Sequence, residues 1–220
     1  MSELAYNPTL GLLYRTDPKS CDIRIAVAAV NDYSSPSVSA SDVVLDLGAH
    51  IGSAARTFLR QGARVVCVEP DAGNVKILRR NVAGTERASV IHAAVAPAGV
   101  SFVGLWRHPE RNAVHRTMAS PDRLPPVEVP AISLETLLQS VAPTVIKCDI
   151  EHAEHELPML RALPLTVRLL FIEIHGTPEQ IRDLDGAIRA QGLAAVRYRE
   201  QHKAGGVLFG VNAAYQRGGV

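Results

Sequence analysis

The chain has few cysteines and few aromatic residues, and neither sign of charge dominates. Its 220 residues include three cysteines, and 23 basic against 22 acidic side chains leave a net charge of +1. Cys67 and Cys148 lie inside apolar stretches, where they act as small hydrophobic residues. This usage argues against a disulfide-based secreted domain and favours a reducing cytoplasm. The balanced, scattered charge does not suggest a nucleic-acid partner.

The chain also lacks a long hydrophobic run. Its first residues, MSELAYNPTLGLL, have no basic start and no long apolar core, so we expect neither a signal peptide nor a membrane-spanning segment. A chain of 220 residues corresponds to one domain. A domain of this size buries roughly 70% of its unfolded surface and needs no disulfide to fold. We therefore expect a single cytoplasmic domain over residues 1–220.

Two apolar stretches carry the most informative motif. Residues 43–52 read VVLDLGAHIG, and residues 64–70 read RVVCVEP, an apolar run that ends in an acid. This pattern predicts a buried parallel strand, a glycine turn and a second strand whose terminal carboxylate, Glu69, binds the ribose of a nucleoside cofactor. A dinucleotide fingerprint would read G-x-G-x-x-G. The D-x-G-x-x-x-G spacing of Asp46, Gly48 and Gly52 instead resembles the first motif of S-adenosylmethionine-dependent methyltransferases.

Apolar and helical patterns alternate along the rest of the chain. The apolar stretches lie at 43–52, 64–70, 90–96, 144–151, 167–175, 194–200 and 205–215. Helical patterns occupy 53–62, 71–82, 133–141 and 177–192, with Ser133 and Thr177 as N-caps. The alternation predicts an α/β fold with a doubly wound, mostly parallel seven-stranded sheet, and the last two stretches predict a C-terminal antiparallel hairpin.

Two segments fall outside this alternation. Residues 1–40 precede the predicted core, 41–220, and include the apolar stretch DIRIAVAAVNDY at 22–33. We expect these residues to form a cap or lid over the cofactor, with Tyr33 near the ligand, or merely to cover the sheet. Residues 104–127 contain Trp106 and four prolines without a clear period, which predicts a long loop or insertion that shapes the acceptor pocket.

Four segments, over roughly residues 40–176, resemble the FkbM-type methyltransferases. LDLGAHIG (45–52) matches that family's D-x-G-A-N-x-G turn, with His50 in place of asparagine, and VEPDAGNVKILRRNV (68–82) matches E-P-x-x-x-N-x-x-x-L-x-x-N. IKCDIEHAEHELPML (146–160) resembles K-I-D-x-E-G-x-E, and FIEIH (171–175) matches E-x-H. The resemblance implies a Rossmann-like class I fold and S-adenosylmethionine-dependent O-methylation of a hydroxyl on a small molecule, a secondary metabolite or a sugar.

The chain departs from the family pattern at two positions on the acceptor side. His152 stands where the family usually has glycine, and Pro158 lies in the helix that should follow. Histidine takes a positive φ only at a cost, so we expect a different local turn. Proline is tolerated only in the first turn of a helix, so we expect this helix to begin near Leu157 rather than at Ala153.

The cofactor half of the site is predicted at the carboxyl ends of the first three strands. The crevice of an open α/β sheet lies there, at the switch in strand order. Asp46, Gly48, His50 and Gly52 would line the methionine end of S-adenosylmethionine, Glu69 the ribose, Pro70, Asp71 and Asn74 the adenosine, and Ala93 and Ala94 the adenine. Asp149 would border both halves. Alternatively, Glu69 is only an acid at a helix N-terminus, which stabilises a helix by at most about 1 kcal/mol.

The acceptor half is predicted on the next two strands. Lys147, Asp149 and Glu151 share one face of their strand, and Glu173 and His175 share one face of its neighbour. His175 is the first candidate for a general base that removes the acceptor proton, and Asp149 is the second. Lys147 is either catalytic or only a charge partner. A divalent metal ion on Asp149, Glu173 and His175 is a less favoured alternative.

Other functions remain open at this stage. An N-methyltransferase would show Asn/Asp-Pro-Pro-Tyr/Phe after the fourth core strand, where this chain has Asp149 followed by Ile150. An RNA methyltransferase, or a cofactor-binding protein without transfer activity, is the alternative function. An NAD-dependent oxidoreductase is more distant. The remaining histidines show no ligand spacing and are interpreted as surface or loop residues: His92, His108, His115, His155 and His202.

Overall fold

The computed structural model describes residues 3–108, 115, 117, 124–202 and 209–217. The strands in these residues are β1 Leu4–Asn7, β2 Leu12–Arg15, β3 Val43–Leu47, β4 Arg64–Glu69, β5 Ala88–His92, β6 Ala94–Ala96, β7 Phe102–Leu105, β8 Val127–Ser133, β9 Val145–Cys148, β10 Leu169–Gly176, β11 Leu193–His202 and β12 Phe209–Arg217. The α-helices are α1 Asp22–Tyr33, α2 Ser53–Arg60, α3 Ala72–Asn81, α4 Leu134–Val141 and α5 Pro178–Ala190.

The main sheet has seven strands in the order β11-β12-β10-β9-β3-β4-β5. Strands β10, β9, β3, β4 and β5 are parallel, and β12 lies antiparallel between β10 and β11. This arrangement confirms the predicted fold class and its C-terminal hairpin. The strand order reverses between β3 and β9, because the chain builds β4 and β5 on one side of β3 and then returns to build β9 on the other. A ligand crevice is expected outside the carboxyl ends of these two strands.

Helices pack on both faces of the sheet. On one face, Leu137 of α4 and Leu184 of α5 are fully buried in a core with Leu45 and Ile146 of the central strands. On the other face, Phe58 of α2 joins a second core with α1 and the same strands. The predicted N-caps are confirmed, since Ser133 accepts a bond from the amide of Thr136 and Thr177 completes a capping box. In the described part of the chain, no helix is long and apolar enough to cross a bilayer.

Three local predictions differ from the structure. The stretch 90–96 is not one strand, because β5 belongs to the main sheet and β6 to a three-stranded sheet with β8 and β7. The predicted insertion 104–127 begins within β7 and ends at the first residue of β8, and residues 109–114, 116 and 118–123 lie outside the described residues. The helix expected near Leu157 is replaced by two 3-10 turns, Ala153–Glu156 and Pro158–Arg161, since proline begins the second turn and has no amide to continue the first.

The N-terminal segment packs against the turn that follows β3. Leu12 and Ala26 are buried in a small core with Ile51 of the turn. The Asn81 amide donates to the carbonyls of Leu13 (2.9 Å) and Ile51 (2.8 Å), which ties β2 to the same turn. The ring of Tyr33 lies 5.8 Å from that of Phe58, inside the second core. Residues 3–33 therefore cover this edge of the sheet, and closure over a ligand stays a prediction.

Candidate active site

The turn after β3 is held by backbone contacts with its neighbours. Gly48 has φ +74°, and its amide donates to the carbonyl of Val68 (3.0 Å). A Cβ atom on Gly48 would lie 1.9 Å from the carbonyl oxygen of Asp149, so a side chain is excluded there. Gly52, with φ +92°, begins α2. Gly48 is thus needed for the turn to pack on Asp149 after β9, and Gly52 for it to pack on Leu78 of α3, whatever ligand approaches the turn.

Glu69, at the end of β4, links the glycine turn to α3. Its carboxylate accepts bonds from the amide of His50 (2.8 Å), the amide of Asp71 (2.9 Å) and the side chain of Asn74 (3.1 Å). The side chain is 5% exposed, and burial raises the pKa of Glu69 despite these bonds. A carboxylate accepts about four hydrogen bonds, so one position is left for a ligand hydroxyl.

The other predicted cofactor residues surround Glu69. Asp71 is the N-cap of α3 and accepts from the amide of Asn74 (2.9 Å), and the carbonyl of Pro70 accepts from the His92 ring (3.0 Å). Ala93 and Ala94 are buried in the link from β5 to β6. The imidazole of His115, from the 104–127 segment, lies 3.9 Å from the carboxylate of Asp71.

Two N-terminal residues missed by sequence reasoning complete this half. The fully buried carboxylate of Asp22 lies 3.3 Å from Nε2 of His50 and accepts from the amide of Arg15 (2.9 Å). The Arg15 guanidinium also donates to the side-chain oxygen of Asn74. Burial opposes ionisation of Asp22, but His50 and Arg15 outweigh it and lower the pKa of this carboxyl. The N-terminal segment therefore contacts two predicted cofactor residues directly.

Lys147 lies beneath the glycine turn. Its ammonium group is 3.3 Å from Oδ1 of Asp46 and donates to the carbonyls of Leu47 (3.2 Å) and Gly48 (2.6 Å). The side chains of Lys147 and Asp46 are 4% and 0% exposed. Although burial would lower it, the carboxylates of Asp46 and Asp149 raise the pKa of Lys147. The geometry favours the charge-partner interpretation over a catalytic one.

The predicted acceptor residues meet at His175. Its Nδ1 donates to Oε1 of Glu154 (3.1 Å), and its Nε2 lies 3.5 Å from Glu173 and 4.0 Å from Glu151. Glu154 is fully buried and also accepts from the amide of Ile150 (3.1 Å). One imidazole is therefore surrounded by carboxylates.

A strained turn brings Glu151 to this cluster. Glu151 and His152 have φ of 53° and 85°, both in the left-handed region. His152 thus adopts the conformation that glycine would favour, despite its cost for histidine, and the expected difference of this turn from that of the family stays a prediction. The ring of His155 donates to the carbonyl of His175, so this histidine is not a free surface residue. Strained backbone of this kind is concentrated at functional sites.

The carboxylates shift one another's protonation. Burial and neighbouring acids raise the pKa of Asp149 to about 6, and burial with Asp149 and Glu173 nearby raises the pKa of Glu151 to about 7. Burial would lower the pKa of His175, but Glu154 and Glu173 raise it well above its usual value. A histidine that is already protonated at neutral pH cannot accept a proton, which argues against the predicted role of His175 as general base.

Glu151 and Glu154 are the site residues that sequence reasoning left without a role. Both stand in the segment that resembled K-I-D-x-E-G-x-E, so the signal was present. Asp149, Glu151 and His175 offer ligand atoms that lie within 4.8 Å of one another, so the metal-capable set contains Glu151 where Glu173 had been predicted.

A family model matches the part of the chain that builds the site. The model of the family described as "Methyltransferase FkbM domain" matches residues 46–199. This range includes the glycine turn, Glu69 and the cluster around His175. No curated protein matches the chain.

Several solved structures have a similar fold. TYW2 from M. jannaschii, in complex with AdoMet, is 12% identical, and the match covers 98% of this chain and 86% of that one with a TM-score of 0.54. Aeropyrum pernix fibrillarin with natively bound S-adenosyl-L-methionine is 11% identical, with 97% and 82% covered and a TM-score of 0.51. Precorrin-6y C5,15-methyltransferase from Geobacter metallireducens is 10% identical, with 93% and 95% covered and a TM-score of 0.51. At these identities the likeness concerns the fold.

Proposed function

Since the chain belongs to the FkbM methyltransferase family, we propose that it transfers the methyl group of S-adenosylmethionine to a hydroxyl group of a small molecule. The observation that carries this proposal is the contact between the two halves of the site. The glycine turn of the cofactor half touches the carbonyl of Asp149, whose side chain belongs to the acceptor half. A methyl donor in the first half would thus lie next to the acidic cluster in the second.

The cofactor half fits this ligand. Glu69 keeps one acceptor position for a ribose hydroxyl, and two similar folds were solved with S-adenosylmethionine bound. The residues that would hold it are Gly48, His50 and Gly52 at the methionine end, Glu69 at the ribose, and Pro70, Asp71, Asn74, Ala93 and Ala94 around the adenosine. Asp46, which is fully buried against Lys147, would support the glycine turn from beneath. When bound, S-adenosylmethionine supplies a methyl carbon attached to a positively charged sulfur.

The acceptor half would position the hydroxyl and take its proton. Transfer from a sulfonium needs the oxygen in line with the methyl carbon, so correct placement supplies much of the rate. Asp149 lies next to the glycine turn, and Glu173 lies across the cluster on β10. Either carboxylate would accept the hydroxyl proton as the new bond from oxygen to carbon forms and the bond from carbon to sulfur breaks. His175 would hold these groups in place rather than act as the base.

The charge of the cluster favours a small acceptor over RNA. Four carboxylates, from Asp149, Glu151, Glu154 and Glu173, surround His175, and such a site would repel a phosphate backbone. The balanced overall charge adds no compensating attraction. RNA methylation stays the alternative enzyme function, and cofactor binding without transfer is the alternative of another class.

The proposal is tested with methyl-labelled S-adenosylmethionine and a library of hydroxylated metabolites and sugars, read out by mass spectrometry. We expect label on an oxygen of a library compound, and loss of transfer in Asp149→Asn. The control is Glu156→Gln, because Glu156 is an exposed acid in the turn beside the cluster. Label in RNA that disappears at high salt would replace the proposal by the RNA alternative. Tight cofactor binding with no labelled product would favour the protein without transfer activity.

A further inference from the structure

Among the described residues, the cluster around His175 brings several carboxylates to one imidazole. The ammonium of Lys147 contacts Asp46 and two carbonyls, and it also interacts electrostatically with Asp149. The imidazole of His175 contacts the carboxylates of Glu151, Glu154 and Glu173. Buried carboxylates are retained only when they are paired, protonated or bound to a metal ion. A metal ion is therefore one way to balance this cluster.

The geometry matches a coordination site. Ligand atoms of Asp149, Glu151 and His175 lie within 4.8 Å of one another. A single point can therefore lie within about 2.8 Å of all three, and small side-chain rotations reach the bond lengths of 2.0–2.6 Å, approximately, that divalent ions require. In addition, Oδ1 of Asp149 is buried and has no hydrogen-bond partner among the described residues. A buried oxygen without a hydrogen-bond partner is a second observation that points to a ligand.

The hydrogen bonds of His175 hold its ring in the orientation that is usual for a metal-binding histidine. Its Nδ1 donates to Glu154, and the amide of Ile150 fixes the same oxygen of Glu154. Nε2 is thus directed towards Glu151 and Glu173. A carboxylate that accepts the second ring proton of a metal-bound histidine is the usual arrangement in proteins, and it contributes to metal affinity.

We propose that Asp149, Glu151 and His175 bind one divalent cation at the acceptor end of the cleft, oriented by Glu154. A ligand set of one imidazole and two carboxylates suits Mn²⁺ or another divalent ion that prefers oxygen and nitrogen ligands. The cation would replace the proton on Nε2 of His175 and bind the acceptor oxygen, which favours loss of the hydroxyl proton to Glu173. This role rests on the proposed methyl transfer, whereas the binding site itself does not.

Binding is tested on the whole chain with Mn²⁺ alone. The protein is stripped with chelator and dialysed, and free Mn²⁺ is followed by electron paramagnetic resonance during titration. We expect one saturable site per chain. Glu151→Gln and His175→Gln should weaken it more than about tenfold, and Glu154→Gln should weaken it about 10- to 100-fold. Glu156→Gln removes the same charge from an exposed position and should bind like the wild type.

The outcomes separate this proposal from the proposed function. Thermal unfolding without metal checks that each variant is folded. If His175→Gln does not fold, the affinity of Glu151→Gln for Mn²⁺ tests the site instead, because Glu151 is partly exposed and its substitution should disturb the fold less. The cation site is overturned if the wild type leaves the free Mn²⁺ signal unchanged, or if the ligand variants bind like the wild type. Methyl transfer that persists in chelator would overturn the catalytic role of the cation and leave the proposed function intact. Calorimetry of S-adenosylmethionine in chelator tests the cofactor half separately.

Discussion

Substitution of Lys147 should be strongly destabilising, because it breaks the buried pair of Lys147 and Asp46. Lys147→Met keeps the length of the side chain and removes its charge. The carbonyls of Leu47 and Gly48 then lose their donor, and Asp46 loses the ammonium group that lies 3.3 Å from its Oδ1. Because Asp46 is 0% exposed, its carboxylate is left as an unpaired buried charge. Removal of one partner of such a pair costs about 3–5 kcal/mol.

A double-mutant cycle tests the origin of this cost. Asp46→Asn leaves the buried ammonium of Lys147 with two carbonyls, and the double variant leaves no unpaired charge. We expect the double variant to be more stable than the sum of the single effects predicts, with a coupling free energy of about 2 kcal/mol.

The assay is urea unfolding followed by far-ultraviolet circular dichroism, with the free energy of unfolding extrapolated to water. If Lys147→Met lowers the free energy of unfolding by less than about 1 kcal/mol, the reasoning is refuted, because a loss of this size is typical of an exposed ion pair. Additivity within about 0.5 kcal/mol would show that the two residues act independently.

Three further predictions concern the cofactor half and the base of the sheet. Glu69→Gln should weaken binding of S-adenosylmethionine in calorimetry by about 1.5–3 kcal/mol, because a neutral amide loses the charge-assisted bond to the ribose, and equal affinity would remove Glu69 from the site. Gly48→Ala should abolish cofactor binding and lower the melting temperature, since its Cβ would lie 1.9 Å from the carbonyl of Asp149; normal binding would contradict the packing of this turn. Burial opposes ionisation of Asp42, but hydrogen bonds from Arg168 and neighbouring groups lower the pKa of Asp42 below 3.8. Its contribution to stability is therefore complete above the unfolded pKa and is lost as the pH falls through the folded one. The difference in unfolding free energy between the wild type and Asp42→Asn should be constant above about pH 5 and shrink below about pH 4, and a constant difference down to pH 2 would count against it.

The cofactor half was largely predictable, because its signals are local. Asp46, Gly48 and Glu69 stand at strand ends that hydrophobic runs define, and a strand followed by a glycine turn has few alternative structures. The strand β5 was less predictable. The chain leaves the main sheet at Ala93 and enters the small sheet as β6, and an apolar stretch gives no sign of which sheet it joins.

The partners of charged side chains were not predictable in the same way. Arg15 contacts Asn74 across 59 residues, and Asp22 contacts His50 across the interface of α1 with the glycine turn. Sequence spacing carries no information on such pairs. Lys147 illustrates the point, since the strand pattern placed it with Asp149 and Glu151, whereas the fold directs its ammonium to Asp46.

The sequence by itself determined the order of strands and helices, the glycine turn, the strand-end acid and the resemblance to a methyltransferase family, because each depends on residues that are neighbours in the chain. Only the tertiary structure decided which carboxylates surround His175. The parallel pairing of β9 with β10 sets these groups side by side, and the left-handed turn at Glu151 and His152 brings a further acid within 4.0 Å of the imidazole. Protonation and metal binding depend on distances of this size, because electrostatic interactions in a buried site fall off with separation and are weakly screened there.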